Sequence, residues 1–229
     1  MCATVLYDSH VNSKLHDGKV RTVEKEGSIT PNGLGIECRA SGNPRIVVNA
    51  DNTFSLVSDK GNGRFYIYCL NYNATLELEA AWMTGTGDCS LKMRSRHNEK
   101  PKPSDPQSLS DCSGKAFGGY GLAIDRGKYS AKREPEHNFH DQSKGGSLPS
   151  AIKNGEFFKI KFRVKDDGTS VKQEGELNGK SFMSKTDTSP TPWMVDKALY
   201  AKQSYLWVRQ NLDSGTGELR IKRLKVLAV

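Results

Sequence analysis

The chain has 229 residues, and its 34 Lys and Arg against 26 Asp and Glu give a formal net charge of +8. Eight Phe, eight Tyr and three Trp are spread along a sequence that is 35% hydrophobic, which excludes intrinsic disorder and a membrane span as descriptions of this chain. The positive excess favours an anionic partner such as nucleic acid, acidic lipid or acidic polysaccharide.

Alternation of apolar and polar residues with a period of two predicts β-strands along most of the chain. Residues 34–40 show this pattern first. In residues 158–164, four apolar residues alternate with three cations, which is typical of a half-buried antiparallel strand. The last strand, residues 219–226, changes parity between Ile221 and Leu224, so we expect a bulge or bend there.

Turns rich in Gly, Asn and Asp separate these strands, for example Asp166-Asp167-Gly168 and Asn178-Gly179. Roughly a dozen short strands of this kind predict an all-β, two-sheet antiparallel sandwich. The best candidate for a short helix is residues 193–201, and residues 149–153 are compatible with a single helical turn. Polar stretches at about 97–115 and 135–150 predict long loops. With no repeat and no linker, residues 1–229 are predicted to form a single domain.

Two segments, residues 154–179 and 215–226, resemble the concanavalin A-like jelly rolls. The first is similar to the hairpin of adjacent surface strands in that superfamily, and the second to its closing strand. The resemblance implies a curved sandwich whose concave sheet holds a glycan groove. The superfamily includes lectins, laminin-G-like modules, carbohydrate-binding modules, glucanases and jelly-roll polysaccharide lyases.

The retaining glucanases of this superfamily carry Glu-x-Asp-x-(x)-Glu on one strand, because their mechanism needs two neighbouring carboxylates. Here Leu76-Glu77-Leu78-Glu79 has no acidic residue at the next positions of the same strand, which argues against that mechanism. We expect Glu77 and Glu79 to pair instead with cations on a neighbouring strand.

The candidate site joins three segments in which cations, aromatic rings and histidines are concentrated. In residues 89–97, Leu91 and Met93 are expected to face the core and the alternate residues the other side. Residues 204–210 follow the same rule, and residues 118–140 contribute a Gly-rich strand and a charged segment. The candidate residues are Lys92, Arg94, Arg96, His97, Tyr120, Lys132, Arg133, Glu134, His137, Tyr205, Trp207 and Arg209.

These residue types fit β-elimination of a uronic-acid polymer, which needs a cation for the carboxylate, a base and an acid. The predicted neutralising group is Arg94 or Arg96, the base is His97 or His137, and the acid is Tyr120. The others are predicted to bind substrate, because aromatic rings beside a guanidinium suit stacking on a sugar and fixing its carboxylate. The predicted substrate-binding residues are Lys92, Lys132, Arg133, Glu134, Tyr205, Trp207 and Arg209.

Alternatives stay open at this stage. The cations at 92, 94 and 96 are also consistent with a solvated strand face paired to Glu77 and Glu79, and Tyr205 and Trp207 with packing in the sandwich. The protein is then a non-catalytic carbohydrate-binding module or lectin rather than a lyase. A glycoside hydrolase on the same fold is a second alternative.

No cofactor is expected. None of the five cysteines forms a CxxC pair, so no metal site is predicted, although structural calcium at a loop such as Asp166-Asp167-Gly168 stays open. The expected partner is an acidic polysaccharide or oligosaccharide, with no nucleic acid and no membrane. We expect a monomer that is secreted or extracellular, its leader absent from this chain, with a cytoplasmic location still open.

Overall fold

The computed structural model describes residues 4–8, 35–39, 45–51, 53–58, 64–70, 73–84, 89–97, 119–134, 145–190, 205–212 and 217–228. Strands account for most of these residues, and no helix occurs among them, which confirms the all-β prediction. None of the described segments is therefore an apolar helix of the length needed to cross a bilayer. The predicted helix at 193–201 lies outside the described residues, as do residues 98–115 and 135–144 of the predicted loops.

The strands are β1 (Thr4–Asp8), β2 (Gly35–Arg39), β3 (Arg45–Val48), β4 (Phe54–Ser58), β5 (Arg64–Leu70), β6 (Ala74–Thr84), β7 (Cys89–His97), β8 (Gly119–Ile124), β9 (Lys128–Glu134), β10 (Gly146–Ser147), β11 (Phe158–Asp167), β12 (Ser170–Leu177), β13 (Lys180–Asp187), β14 (Tyr205–Leu212) and β15 (Gly217–Ala228).

These strands form two antiparallel sheets. The eight-stranded sheet has the order β13-β12-β11-β6-β15-β4-β3, and β1 also pairs with β15. The seven-stranded sheet has the order β10-β9-β8-β7-β14-β5-β2. Some strands that follow one another in the chain, such as β6 and β7, belong to different sheets. The chain therefore passes between the two layers, as in a jelly-roll sandwich.

The core lies between the sheets and is built by the alternation that the sequence shows. Every second residue from Phe158 to Val164 in β11 is at most 2% exposed. Leu91 and Met93 of β7 are fully buried, which confirms their predicted core positions. Complete burial of one such side chain stabilises the fold by about 1.5–3 kcal/mol.

The predicted irregularity in β15 is a β-bulge. Its register with β6 shifts between Ile221 and Arg223, and the buried positions change from Ile221 to Leu224. The extra residue, Lys222, is exposed. Arg223 donates two hydrogen bonds to the carboxylate of Asp8, at 3.1 and 2.6 Å, and so fixes β1 beside β15.

The outer face of the eight-stranded sheet carries a ladder of ion pairs. Glu77 lies 3.5 Å from the ammonium group of Lys161 on β11. Glu79 lies 3.7 Å from Lys159 on β11 and 2.9 Å from Lys222 on β15. The prediction that these two glutamates pair with cations on neighbouring strands is confirmed.

The same pairing rules out one alternative for β7. Glu77 and Glu79 belong to the eight-stranded sheet, whereas residues 92, 94 and 96 belong to the seven-stranded sheet. The interpretation that these β7 cations are paired to the two glutamates is therefore wrong, because the core of the sandwich separates them.

A second group of ion pairs on the same face joins β11 and β12. Lys172 lies 2.7 Å from Glu174, and Arg163 lies 3.6 Å from the same carboxylate. The hydrogen bond from Lys172 lowers the pKa of Glu174 below its usual value. Glu174 therefore keeps its negative charge at neutral pH and stays paired with both cations.

The turn between β12 and β13 has the backbone geometry that the pair Asn178-Gly179 favours. Asn178 has φ of 50° and Gly179 has φ of 80°. Two consecutive residues with positive φ are the mark of the tight hairpin turn that matches strand twist. The predicted turn is confirmed, and it sets the register of the β12–β13 hairpin.

Replacing Gly179 by Ala is expected to lower the free energy of unfolding by about 1–2 kcal/mol, because a Cβ atom disfavours the left-handed backbone region. Gly127→Ala is the matched control: Gly127 has no positive φ, and both glycines have open space around an added Cβ. Urea unfolding of both variants measures the difference. Equal losses in the two variants would contradict the turn geometry.

Candidate functional site

The middle of the seven-stranded sheet brings the three predicted segments together. Strands β9, β8, β7 and β14 are neighbours in that order. The backbone register pairs Lys132 with Gly121, Gly121 with Arg94, and Arg94 with Trp207. Because directly paired positions lie on the same face of a sheet, these four positions form one row, which we call the Arg94 row.

A second row lies two residues further along the same strands. It joins Ser130, Ala123, Lys92 and Arg209, each paired with the next. The intervening position on β7, Met93, is buried in the core, so both rows lie on the outer face of the sheet. Strand β8 contributes only a glycine and an alanine to these rows and adds no bulky side chain between β7 and β9.

A bulge brings the position of His97 to the same face. Tyr205 pairs with His97 and Trp207 pairs with Arg94, so two steps on β14 correspond to three steps on β7. An extra residue of this kind changes the parity of the strand. The position of His97 therefore lies opposite Tyr205, in the next row along β7 and β14 from the Arg94 row, and Arg96 lies within the bulge.

Tyr120 and Arg133 belong to the other face of the sheet. Ser95 pairs with Tyr120 and Tyr120 with Arg133, which forms a row of inner positions between the sheets. Tyr120 is 0% exposed. The sequence grouped Tyr120 and Arg133 with Arg94 in one candidate site, and the register corrects this grouping. Their side chains point into the sandwich, away from the outer face of the sheet.

The inner row ends in a contact between the two sheets. The hydroxyl of Tyr120 donates to Oδ2 of Asp187 on β13 at 2.8 Å, and Nη1 of Arg133 donates to Oδ1 at 3.0 Å. The side chains of Arg133 and Asp187 are 14% and 8% exposed. We call these three residues the Asp187 clamp. It closes the side of the sandwich where β9 faces β13.

The remaining candidates take separate places. Glu134 pairs with Gly119 at the end of the β8–β9 ladder. His137 lies outside the described residues, and its predicted role stays a prediction. Within the described ranges, no group of three or more His, Cys, Asp and Glu residues comes close enough to hold a metal ion.

Asp187 is the residue that sequence analysis missed. It is 67 residues from Tyr120 and 54 from Arg133, and no motif connects the three. The only local signal is the polar end of β13, where Thr186 and Asp187 precede Thr188 and Ser189. That pattern is also typical of an ordinary strand end.

Solved structures share this fold at low sequence identity. The carbohydrate recognition domain of Emp46p, a point mutant, is 10% identical, with each chain wholly covered and a TM-score of 0.58. The laminarinase catalytic domain from Thermotoga maritima is 9% identical, with 100% of this chain and 99% of that chain covered and a TM-score of 0.57. A protein of unknown function with a galectin-like fold from Bacillus subtilis is 11% identical, with both chains wholly covered and a TM-score of 0.54.

This chain therefore shares the jelly-roll sandwich fold of these proteins, which is the fold that the two resembling segments implied. No family model matches the sequence, and no curated protein matches it either.

Removing the carboxylate of the Asp187 clamp by Asp187→Ala is expected to lower the free energy of unfolding by about 3 kcal/mol, because it leaves the guanidinium of Arg133 desolvated and unpaired. The matched control is Glu176→Ala, which removes an exposed carboxylate 3.8 Å from Lys161. That change is expected to cost less than about 1 kcal/mol. Urea unfolding compares them, and equal losses would show that the clamp adds nothing to an ordinary surface pair.

Proposed function

We propose that this protein binds an acidic glycan on the outer face of the seven-stranded sheet. The observation that supports this most is the Arg94 row, in which Lys132, Arg94 and Trp207 occupy paired positions. An indole ring suits stacking on the apolar face of a sugar, and a guanidinium suits a carboxylate. Both kinds of group are needed to recognise a uronic-acid unit.

The distribution of charge supports an acidic ligand. The two rows contain four cationic residues and no acidic one, whereas the cations on the eight-stranded sheet are matched by carboxylates, as in Lys161 with Glu77 and Arg163 with Glu174. The rows are separated by about 7 Å along the strands, and β9 and β7 by about 10 Å across them. A surface of this size fits one or two sugar units of a chain.

The fold supports a carbohydrate ligand as well. The similar structures include a carbohydrate recognition domain and a laminarinase catalytic domain, so this sandwich serves both recognition and cleavage of glycans in other proteins. Binding is the common requirement of the two activities, and we therefore place it first.

Replacing Arg94 by Ala is expected to weaken binding of sodium polygalacturonate about tenfold or more, because a hydrogen bond to a charged group contributes roughly 1.5–3 kcal/mol. Trp207→Ala is expected to have a similar effect through lost stacking. The control is Arg163→Ala, which removes a cation from the opposite sheet. Isothermal titration of the wild type and the three variants gives the Kd values.

Two results would contradict this proposal. The first is equal loss of affinity in Arg163→Ala and Arg94→Ala, which would indicate attraction by net charge alone. The second is wild-type affinity for a neutral glucan as high as for polygalacturonate. Alginate and glucuronan, tested in the same way, identify the preferred uronic acid.

A second candidate function is β-elimination at the same face, and the pairing of His97 with Tyr205 favours it. Paired positions have Cβ atoms about 4.5–5.5 Å apart, which is close enough for two groups to act on one sugar. In this reaction the base takes the C5 proton, the C4–O bond breaks, a C4–C5 double bond forms, and the acid protonates the leaving oxygen. Tyr205 replaces the buried Tyr120 as the proposed acid, and Arg94 neutralises the carboxylate.

The lyase proposal predicts that polygalacturonate, alginate or glucuronan gains ultraviolet absorbance when incubated with the protein, from the new double bond. His97→Ala is expected to abolish this gain while binding persists, since the base acts on a proton that binding does not require. Binding of all three polymers without any absorbance change would leave the protein as a carbohydrate-binding module or lectin.

A further inference from the structure

A polar cleft lies beside the Asp187 clamp, where β9 of one sheet faces β13 of the other. Its volume is about 250 Å³, and its walls include Arg133, Gln173, Lys185 and Thr188. One water molecule takes up about 30 Å³ in the liquid, so the cleft is several times larger than a single-water site. It is separated from the Arg94 row, because Arg133 lies on the inner face of β9 and Lys132 on the outer face.

Two buried polar atoms in the walls of this cleft have no hydrogen-bond partner among the residues that the structure describes. Gln173 is 5% exposed, and its Oε1 accepts no hydrogen bond. The Nε–H of Arg133 is also buried and donates none, although Nη1 of the same side chain is held by Asp187. Native proteins rarely leave such groups unsatisfied, because a buried donor or acceptor without a partner destabilises the fold. The cleft therefore offers one unused acceptor and one unused charged donor.

Lys185 adds an uncompensated charge at the same place. It pairs with Gln173 in the β12–β13 register, so the two side chains are direct neighbours on the inner face. No carboxylate in the part of the chain that the structure describes forms an ion pair with Lys185. The carboxylate of Asp187 is already engaged by Arg133, by Tyr120 and by the backbone N–H of Ser189.

We propose that this cleft binds a sugar acid, a ligand with a carboxylate and a neighbouring hydroxyl. The carboxylate accepts hydrogen bonds from Nε of Arg133 and Nζ of Lys185, and the hydroxyl donates to Oε1 of Gln173. Entry requires the partly exposed Lys185 side chain to turn toward the carboxylate, because the two unpartnered atoms are covered without a ligand. A neutral sugar would leave the ammonium group uncompensated.

The Asp187 clamp acts here as a positioning element. It fixes the guanidinium of Arg133 through Nη1 and leaves Nε free for a ligand. The inference takes its ligand class from the proposed acidic-glycan function, but its residues are separate from the Arg94 row. The two sites can therefore be tested, and can fail, independently.

The experiment is a titration of the ¹⁵N-labelled protein with sodium glucuronate, followed through the side-chain amide signals of Gln173. Glucuronate is expected to shift these signals in a saturable way, and glucose, its uncharged counterpart, to bind at least tenfold more weakly. Lys185→Met is expected to weaken glucuronate binding about tenfold, because it removes a charged hydrogen bond. Lys180→Met is the matched control, since Lys180 lies on the same strand but does not line the cleft.

Three outcomes would overturn the inference. Equal effects of Lys185→Met and Lys180→Met would show attraction by charge alone, and equal affinity for glucose would remove the role of the carboxylate. An unchanged Gln173 amide at saturating glucuronate would leave the cleft as a water-filled space. Arg94→Ala is expected to leave this titration unchanged while it weakens polygalacturonate binding, so failure of one site is distinguishable from failure of the other.

Discussion

The apolar residues that β6, β11 and β15 turn inward meet those of β7 and β8, and every other feature of the molecule depends on this contact. The rings of Trp82 and Phe158, on neighbouring strands of one sheet, lie 5.1 Å apart, and Leu91 and Met93 of the other sheet are fully buried. Because side chains alternate along a strand, filling the core also decides which residues lie outside. The same alternation that stabilises the sandwich therefore selects the residues available to a ligand.

The two outer faces use their charges differently. On the eight-stranded sheet, cations and carboxylates lie beside one another across the strands. Lys161, for example, lies close to both Glu77 and Glu176. Such exposed pairs contribute little stability, but they leave no strong field for an anionic ligand. On the seven-stranded sheet, the positions of Arg94 and Trp207 are paired within a row that contains no carboxylate. Among the described residues, the two rows on the seven-stranded sheet thus hold cationic positions with no acidic position between them.

The fold could be predicted from the sequence because its determinants are local. The alternation in residues 158–164, the Asn178-Gly179 turn and the parity change after Ile221 each occupy a few consecutive residues. The site could be predicted only in part. In β8, the bulky residues Tyr120, Leu122 and Ile124 alternate with small ones, and this period of two already groups Tyr120 with the core. Its assignment to the site followed its residue type and not its position in that alternation. The contact with Asp187 depends on long-range pairing, which no local pattern encodes.

The bulge in β15 has a consequence for how the N-terminal strand is held. On one side β15 pairs with β6 along its whole length, and on the other side it must accommodate both β4 and β1. Strand β4 pairs up to Ile221 and β1 pairs from Lys225 onward, so the bulge falls at the boundary between them. One edge of β15 thus pairs with β4 before the bulge and with β1 after it. Asp8, far away in the sequence, contacts Arg223 at that bulge, and this ion pair holds β1 against β15.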